Sequence, residues 1–180
     1  MGQQPTEISP QLAKWISKQH VYFVATAPLA ADCFVNCSPK GMDSLRVIDS
    51  ATIAYLDLAG SGIETVAHLQ ENGRIVIMLC AFEGPPKIVR LHGQGVVLVP
   101  GSDEFATLRH HFPDLPGIRS IIRVQLTRVS DSCGYGVPLM AFRAERDSLP
   151  AWAEKKGPDG IATYIRTKNI HSIDGLPGIP

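Results

Sequence analysis

The stretch Arg74–Phe82, which reads RIVIMLCAF, decides the fold of this chain. Every residue after the arginine is apolar, and the run is too short for a membrane helix, which needs about 18 such residues. Its β-branched residues favour a strand that is covered on both faces. The chain is therefore expected to contain a buried β-strand here, with a sheet built around it.

Two longer stretches that follow it extend this sheet. Ile88–Val99 alternates apolar and polar residues, and Gly93 and Gly95 within it predict a bulge or sharp bend of the kind that closes a barrel. Ile121–Val129, reading IIRVQLTRV, alternates again. Because alternation is typical of strands with one face in the core, both stretches are predicted as antiparallel strands.

Four shorter segments upstream complete the predicted sheet. Each is rich in β-branched and aromatic residues, and turn-forming residues such as Pro28 and Gly41 separate them. They are Val21–Thr26, Cys33–Cys37, Leu45–Ile48 and Thr52–Leu58. Together with the three stretches above, they predict a mainly β fold, an antiparallel barrel of six to seven strands with helices at its periphery.

Helices interrupt these strands instead of alternating with them. Ser9-Pro10 and Ser102 are typical helix starts, because a serine side chain caps free N–H groups and proline suits the first turn. The other predicted helices are Ile63–Asn72, Ala151–Lys156 and Ile161–Lys168. No repeat, low-complexity tract or linker divides the chain, so residues 1–180 are predicted to form one domain.

The composition excludes several classes of partner and site. The 180 residues carry 17 basic and 17 acidic side chains, whereas proteins that bind nucleic acids or membrane surfaces rely on a basic excess. The N-terminus lacks the basic and apolar segments of a secretory signal, so a cytoplasmic location is expected. Cys33 and Cys37 are expected on one face of a strand and Cys80 in the core, and ordinary thiols are favoured over a metal site.

The stretch Leu58–Thr65, reading LAGSGIET, has a composition suited to phosphate binding. It leads from a strand through a Gly-x-Gly turn into a helix, whose first N–H groups are free and carry partial positive charge. Ser61 and Thr65 add hydroxyl groups. The alternative is that Ser61 only caps the helix. A dinucleotide fingerprint is not favoured, because Thr65 stands where its third glycine belongs.

A second stretch, Ser38–Gly41, places a hydroxyl and a lysine at the end of a predicted strand, with Arg46 on the next one. Taken alone, a turn of this composition is typical of a solvated hairpin. In a barrel, however, this turn and the Gly-x-Gly turn are able to meet at one phosphate group. Both interpretations stay open at this point.

These residues resemble a known family, the pyridoxamine 5′-phosphate oxidase-like proteins with the FMN-binding split-barrel fold. The matching segments are FVATAP (23–28), VNCSPKGMDSLRVID (35–49), TIAYLDLAGSGIET (52–65), AHLQENGRIVIMLCAF (67–82), EGPPKIVRLHGQG (83–95) and DSCGYGVP (131–138). The resemblance covers roughly residues 8–145, the expected barrel core, and leaves 146–180 as a C-terminal helical segment and tail. It implies a split β-barrel that associates as a homodimer, with flavin mononucleotide (FMN) held between the subunits.

The resemblance also implies a set of cofactor-binding residues. By position, the phosphate-binding role falls on Lys40, Arg46, Ser61 and Thr65, with Ser38 as a further candidate. Glu64 departs from the pattern, because pyridoxamine phosphate oxidases carry basic residues there.

The loop 134–138 is a further candidate, because its glycines permit close approach and Tyr135 is able to stack on a ring; the alternative is a tight turn with a core tyrosine. A flavin-dependent oxidoreductase acting on an unidentified small molecule is implied, with catalytic residues left unassigned. The alternative is a non-catalytic carrier or sensor that binds FMN, the deazaflavin F420 or heme.

Overall fold

The computed structural model describes residues 5–179, which form a curled antiparallel sheet with helices around it. The strands are β1 (Tyr22–Thr26), β2 (Asn36–Lys40), β3 (Leu45–Val47), β4 (Thr52–Leu58), β5 (Arg74–Cys80), β6 (Ile88–Leu98) and β7 (Ile118–Ser132). The helices are α1 (Pro10–Ile16), α2 (Glu64–Asn72), α3 (Asp103–Arg109) and α4 (Ser148–Lys168). Residues 1–4, part of the segment in which no secretory signal is predicted, and Pro180 lie outside the described range.

The seven strands follow the order β2-β1-β5-β6-β7-β4-β3, and every pairing is antiparallel. The sheet curls into a half-barrel, as a split barrel requires, so the predicted mainly β fold with peripheral helices is confirmed. No helix within residues 5–179 is long and apolar enough to cross a membrane.

Side-chain alternation gives the sheet two apolar faces. On one face, Tyr55 and Val124 belong to a large core that α1 and α2 cover. On the other, Leu56 and Ile121 pack against α3. β5 has Ile75, Ile77 and Leu79 in the large core, but its other face is only half-buried. The prediction that this strand is covered on both faces is therefore correct for one face only.

The pairing of β6 with β7 contains a bulge, and the extra residue, Thr127, lies on β7. The register between β6 and β7 shifts between His92 and Gly93. A Cβ atom at Gly93 would collide with the Gln125 carbonyl oxygen, so only glycine allows the two backbones to approach this closely. The bulge predicted from Gly93 is confirmed.

The predicted helix starts are also confirmed. The Ser9 hydroxyl accepts a hydrogen bond from the Leu12 N–H at 3.2 Å, and the Ser102 hydroxyl accepts one from Phe105 at 3.3 Å. α4 agrees with the prediction of two separate pieces, because it consists of two helices that meet at a break. Gly157 adopts a left-handed φ of 67° there, just before Pro158.

Strand β2 is shifted from its predicted position. The prediction was Cys33–Cys37, but pairing with β1 begins at Asn36 and ends at Lys40, which lies opposite Tyr22. Ser38 and Lys40 therefore belong to an edge strand and not to a turn. Cys33 precedes the strand, so the predicted sharing of a strand face with Cys37 is wrong.

A buried ion pair joins β4 to β7. The Arg119 guanidinium donates to both carboxylate oxygens of Asp57, at 2.8 and 3.1 Å, and the Ser120 hydroxyl donates to one of them at 3.0 Å. Burial alone would raise the pKa of Asp57, but the charges of Arg119 and Lys40 and these hydrogen bonds hold the pKa below its ordinary value of 3.8. Asp57 is therefore ionised at neutral pH.

The same arginine also holds the turn after β4 and the C-terminal segment. Its guanidinium donates to the Gly62 carbonyl at 2.8 Å and to the Asn169 side-chain oxygen at 2.9 Å. The Asn169 amide in turn donates to the Gly60 carbonyl at 3.0 Å. One buried charge pair thus fixes two strands, the Gly-x-Gly turn and the end of α4.

Replacing Asp57 by alanine is expected to lower the free energy of unfolding by about 3–5 kcal/mol, because the Arg119 guanidinium would stay buried without a counter-charge. Urea denaturation measures this change. The matched control is Glu104→Gln, which removes the exposed partner of Arg123 at 3.6 Å and should cost about 0–1 kcal/mol. Losses of equal size in both variants would contradict the role given to the buried pair.

Candidate functional site

The Gly-x-Gly turn presents one free hydroxyl at the start of α2. Ser61 is exposed, whereas the N-cap position belongs to Ile63, with no side-chain hydrogen bond to the helix end. The alternative in which Ser61 caps the helix is therefore wrong. A Cβ atom at Gly60 would meet nothing within 4 Å, so the backbone of this turn is open to an approaching group.

A polar seam, made of Asn36, Ser38, Lys40 and Thr65, lies between the edge strand β2 and the start of α2. The Asn36 amide donates to the Thr65 hydroxyl at 3.0 Å, and its oxygen accepts from the Ser38 hydroxyl at 3.0 Å. The structure thus brings together two residues predicted from separate turns. Asn36 joins them and was not singled out from the sequence.

The seam continues inward to a buried histidine. The Asn36 amide also donates to the Thr26 hydroxyl at 3.2 Å, and this hydroxyl is hydrogen-bonded to His68 Nδ1 at 2.9 Å. His68 is fully buried on α2, and its Nε2 has no hydrogen-bond partner among residues 5–179. Both nitrogens of a buried imidazole normally have a hydrogen-bond partner. The Nε2 atom of His68 is therefore a buried polar atom whose hydrogen bonding is not satisfied.

Lys40 provides the positive charge of the seam. Its ammonium group lies 3.5 Å from Asp57 and 5.8 Å from the centre of the Tyr55 ring, and its side chain is 21% exposed. Asp57 is already neutralised by Arg119, so the three groups together carry one net positive charge. That excess, at a partly exposed position, suits an anionic group.

Arg46 lies apart from the seam. It pairs with Ala54 across β3 and β4, on the sheet face opposite to Tyr55, and its guanidinium stacks over Phe112 at 5.6 Å. Two nitrogens of the guanidinium donate to the Asp43 carboxylate, at 2.7 and 2.8 Å. The structure does not bring Arg46 together with Lys40.

Tyr135 is also remote from the core. Its ring is 82% exposed, in a tight turn closed by a 2.9 Å hydrogen bond from the Val137 N–H to the Gly134 carbonyl. The turn was one of the two alternatives, but the expectation of a core tyrosine is wrong. The cofactor-binding roles of Tyr135, Arg46, Ser61 and the seam residues stay predictions.

The C-terminal tail covers the N-terminal end of α2, the helix end whose sequence suited phosphate binding. Glu64, in the first turn of the helix, accepts a hydrogen bond from the Ile173 N–H at 3.3 Å. Asp174 accepts one from the Phe34 N–H at 3.0 Å. Because the Glu64 carboxylate lies in the first turn of α2, the neighbouring seam suits an anion better than the helix end itself.

The four cysteines are all free thiols. Cys80 is buried, as predicted, while Cys37 and Cys133 are exposed. Among residues 5–179, no three His, Cys, Asp or Glu side chains are grouped closely enough to hold a metal ion.

Sequence reasoning missed the residues that organise the site. Asp57 and Arg119 are far apart in the chain, but an aspartate inside the apolar strand TIAYLDL is a signal that it needs a buried partner. Asn36 and His68 carry no comparable signal, because an isolated asparagine or histidine is common on protein surfaces.

The chain is similar in sequence to one curated protein and in fold to several solved structures. No protein-family model matches it. The pyridoxamine 5′-phosphate oxidase family protein ustO of Aspergillus flavus is 33% identical over an alignment of 189 positions. The alignment covers 96% of this chain and 76% of that protein.

Two solved structures share the fold at lower identity. HupZ of Group A Streptococcus superposes with a TM-score of 0.54 at 19% identity, covering 70% of this chain and 94% of HupZ. A candidate pyridoxamine 5′-phosphate oxidase from Lactobacillus delbrueckii gives 0.52 at 17% identity, covering 70% and 95%. At these identities the two structures bear on the fold alone.

The half-barrel and its seam define a split-barrel protein with a group of polar side chains beside the edge strand. The similarity to the Aspergillus protein extends over nearly the whole chain. The chain belongs to the pyridoxamine 5′-phosphate oxidase family.

The stability of the protein should fall as the pH decreases from 7.5 to 5.5, in part because of His68. Burial lowers the pKa of His68 below 6.5, although the carboxylates of Asp174, Glu64 and Glu71 and the backbone of Thr26 act in the opposite direction. The unfolded chain then binds a proton first as the pH falls, which favours unfolding.

Urea denaturation at several pH values tests this expectation. His68→Gln removes the titrating group and should flatten the decrease in stability, whereas Gln70→Ala, at an exposed position of the same helix, should leave it unchanged. If the free energy of unfolding of the wild-type protein and of His68→Gln decreased equally with falling pH, the role given to His68 would be wrong.

Proposed function

We propose that this protein binds FMN at the polar seam and acts as a flavin-dependent oxidoreductase on a small molecule. The observation that carries the proposal is the donor set of the seam, found in a chain of the pyridoxamine 5′-phosphate oxidase family. Lys40 supplies an ammonium group and Ser38 a hydroxyl, both at partly exposed positions. Asn36 holds Ser38 in place, since its amide N–H groups already donate to Thr26 and Thr65 and its oxygen accepts from Ser38.

This donor set fits a phosphate monoester. Phosphate oxygens accept hydrogen bonds, and those from a charged donor are about twice as strong as those between neutral groups. The exposed Ser61 hydroxyl lies in the turn next to the seam, and Thr65 is already joined to it through Asn36. Lys40, Ser38 and Ser61 are therefore proposed to hold the phosphate, with Asn36 and Thr65 fixing the geometry of the seam.

The flavin, when bound, supplies the hydride or electron transfer, and the protein supplies binding, orientation and a controlled environment. Lys40 balances phosphate charge in this proposal, and its own position is set by Asp57. The exposed Tyr135 is proposed to contact the ring system. The deazaflavin F420 or heme in place of FMN, or a carrier or sensor without turnover, would show itself in the experiments below.

The first experiment is the visible spectrum of the purified protein, followed by mass spectrometry of any compound released by heat. Flavin bands and the mass of FMN support the proposal. Steady-state reduction by a nicotinamide cofactor then separates an oxidoreductase from a carrier. A colourless protein that does not bind added FMN would show that the proposal is wrong.

The double variant Lys40→Met with Ser38→Ala should weaken FMN binding by about 2–4 kcal/mol, because a charged and a neutral donor to the phosphate are both lost. Fluorescence titration with FMN measures the change. Riboflavin lacks the phosphate and should bind the variant and the wild-type protein alike. The control Lys168→Met removes an exposed charge at the end of α4 and should change neither affinity. Unchanged FMN affinity in the double variant would place the phosphate elsewhere.

A homodimer is part of the proposal, with the cofactor sites at the interface between subunits. It is supported by an apolar surface formed by Phe34, Val35 and Ile173, which are 63%, 73% and 69% exposed. The hydrogen bond from the Phe34 N–H to Asp174 joins the two segments that carry these side chains. Surfaces of this kind commonly mark protein interfaces.

We also propose that the protein is cytoplasmic and that it has neither a nucleic-acid nor a membrane partner.

Light scattering after size-exclusion chromatography should give twice the monomer mass of 19.5 kDa. Val35→Glu places a charge in the apolar surface and is expected to shift the equilibrium toward the monomer. Val99→Glu, at an exposed position after β6, serves as the matched control and should leave the mass unchanged. A monomer at all concentrations of the wild-type protein would exclude the homodimer.

A further inference from the structure

A segment without regular structure, residues 139–147, crosses one end of the barrel between β7 and α4. We call it the strap. The Met140 N–H donates to the Phe82 carbonyl, and the Phe142 N–H donates to the Glu83 carboxylate, both at 2.9 Å. Further along the strap, the Glu145 carboxylate accepts from the Met42 N–H at 3.2 Å. The strap is thus attached to the end of β5 and to the end of β2.

The strap is also fixed in its middle by an aromatic contact. The Phe142 ring stacks on His20, just before β1, with centroids 3.6 Å apart and planes inclined by 7°. Because three points along the strap are fixed, the space beneath it is a defined feature of the fold.

That space is a cavity of about 960 Å³ between the strap, α1 and the ends of β1 and β2. Aromatic side chains form much of its wall, namely Trp15, Phe23, Phe82 and Phe142. Its volume is at the upper end of the range found for small-molecule sites, which are mostly apolar with a few polar groups. A planar apolar molecule therefore matches the wall.

The lining of the cavity carries more positive than negative charge. Lys18, Arg143 and Arg146 line it, and none of them has a carboxylate within 4.0 Å in the part of the chain from 5 to 179. The two acidic residues of the lining, Glu83 and Glu145, already accept backbone hydrogen bonds of the strap. One backbone hydrogen bond does not remove the charge of a carboxylate, so Lys18, Arg143 and Arg146 exceed Glu83 and Glu145 by one positive charge.

We propose that this cavity is a binding site for a planar organic anion, an aromatic or heteroaromatic ring system that carries a carboxylate. The ring system would lie against the aromatic wall, and the carboxylate would be held by Arg143 and Arg146. An arginine pair suits this role because guanidinium groups bind carboxylates through two parallel hydrogen bonds.

Lys40 links the cavity to the polar seam, since it lines the cavity and its ammonium belongs to the seam. A ligand under the strap would therefore lie beside the proposed flavin site, and its assignment as the substrate rests on the proposed function. Binding itself does not rest on that function, because Arg143, Arg146 and the aromatic wall are not part of the polar seam.

The test uses 2-naphthoate and its neutral counterpart 2-naphthalenemethanol as probes, with affinities measured by calorimetry on the protein as purified. Of the two tryptophans, only Trp15 lines the cavity, so in the variant Trp152→Phe any change in tryptophan emission locates the probe. We expect 2-naphthoate to bind at least tenfold more tightly than the alcohol and to change the Trp15 emission.

The double variant Arg143→Gln with Arg146→Gln should weaken 2-naphthoate binding at least tenfold and alter binding of the alcohol less than threefold. Phe142→Ala should weaken both probes, because the aromatic wall is lost. The control Arg166→Gln, at an exposed position on α4, should affect neither. Equal affinity for the two probes, or an unchanged 2-naphthoate affinity in the arginine variant, would overturn the proposal.

FMN titrations of the same variants separate the two proposals. Loss of 2-naphthoate binding with FMN binding retained, in the arginine variant, supports a distinct site under the strap. If the wild-type protein binds 2-naphthoate but not FMN, the flavin proposal fails and the cavity proposal stands.

Discussion

The Asp57–Arg119 ion pair is the interaction on which the remainder of this structure depends. Each group is buried, and each would destabilise the protein alone, but together they satisfy a set of backbone and side-chain groups that hydrophobic packing leaves unpaired. The pair connects the sheet to the turn before α2 and, through Asn169, to the C-terminal segment. The Asp57 carboxylate also attracts the Lys40 ammonium group, which lies 3.5 Å from it. The candidate site is thus built outward from a structural charge.

Local periodicity explains why most of the fold was predictable. Strands with alternating apolar and polar residues, such as Ile121–Val129, and helices with a serine cap carry their signal within a few residues. Strand β2 was misplaced because its limits are set by pairing with β1, a non-local interaction. Its composition, with Pro39 next to its last residue, argues for a turn. The strand nevertheless forms at the sheet edge, where proline is tolerated.

The site was predictable in part for the same reason. The meeting of the Ser38 and Thr65 segments was one of two interpretations of the sequence, and their contact through Asn36 favours it. The intermediary was not foreseeable, because nothing in its neighbourhood distinguishes it. Arg46 was grouped with them by family position, yet a local partner, Asp43, three residues away, holds its guanidinium on the other face of the sheet. The cavity under the strap was also unforeseen, since an extended segment without periodicity gives no indication of where it will lie.

The proline in β2 has a consequence for how copies of this protein meet. A free sheet edge normally offers a regular row of backbone donors and acceptors, onto which a foreign strand is able to add. Pro39 has no N–H group, so the row at this edge is interrupted. Continuous strand addition, the route to fibrillar stacking, is therefore blocked at β2. Any stable contact made along this side must use side chains, which restricts it to partners of complementary shape.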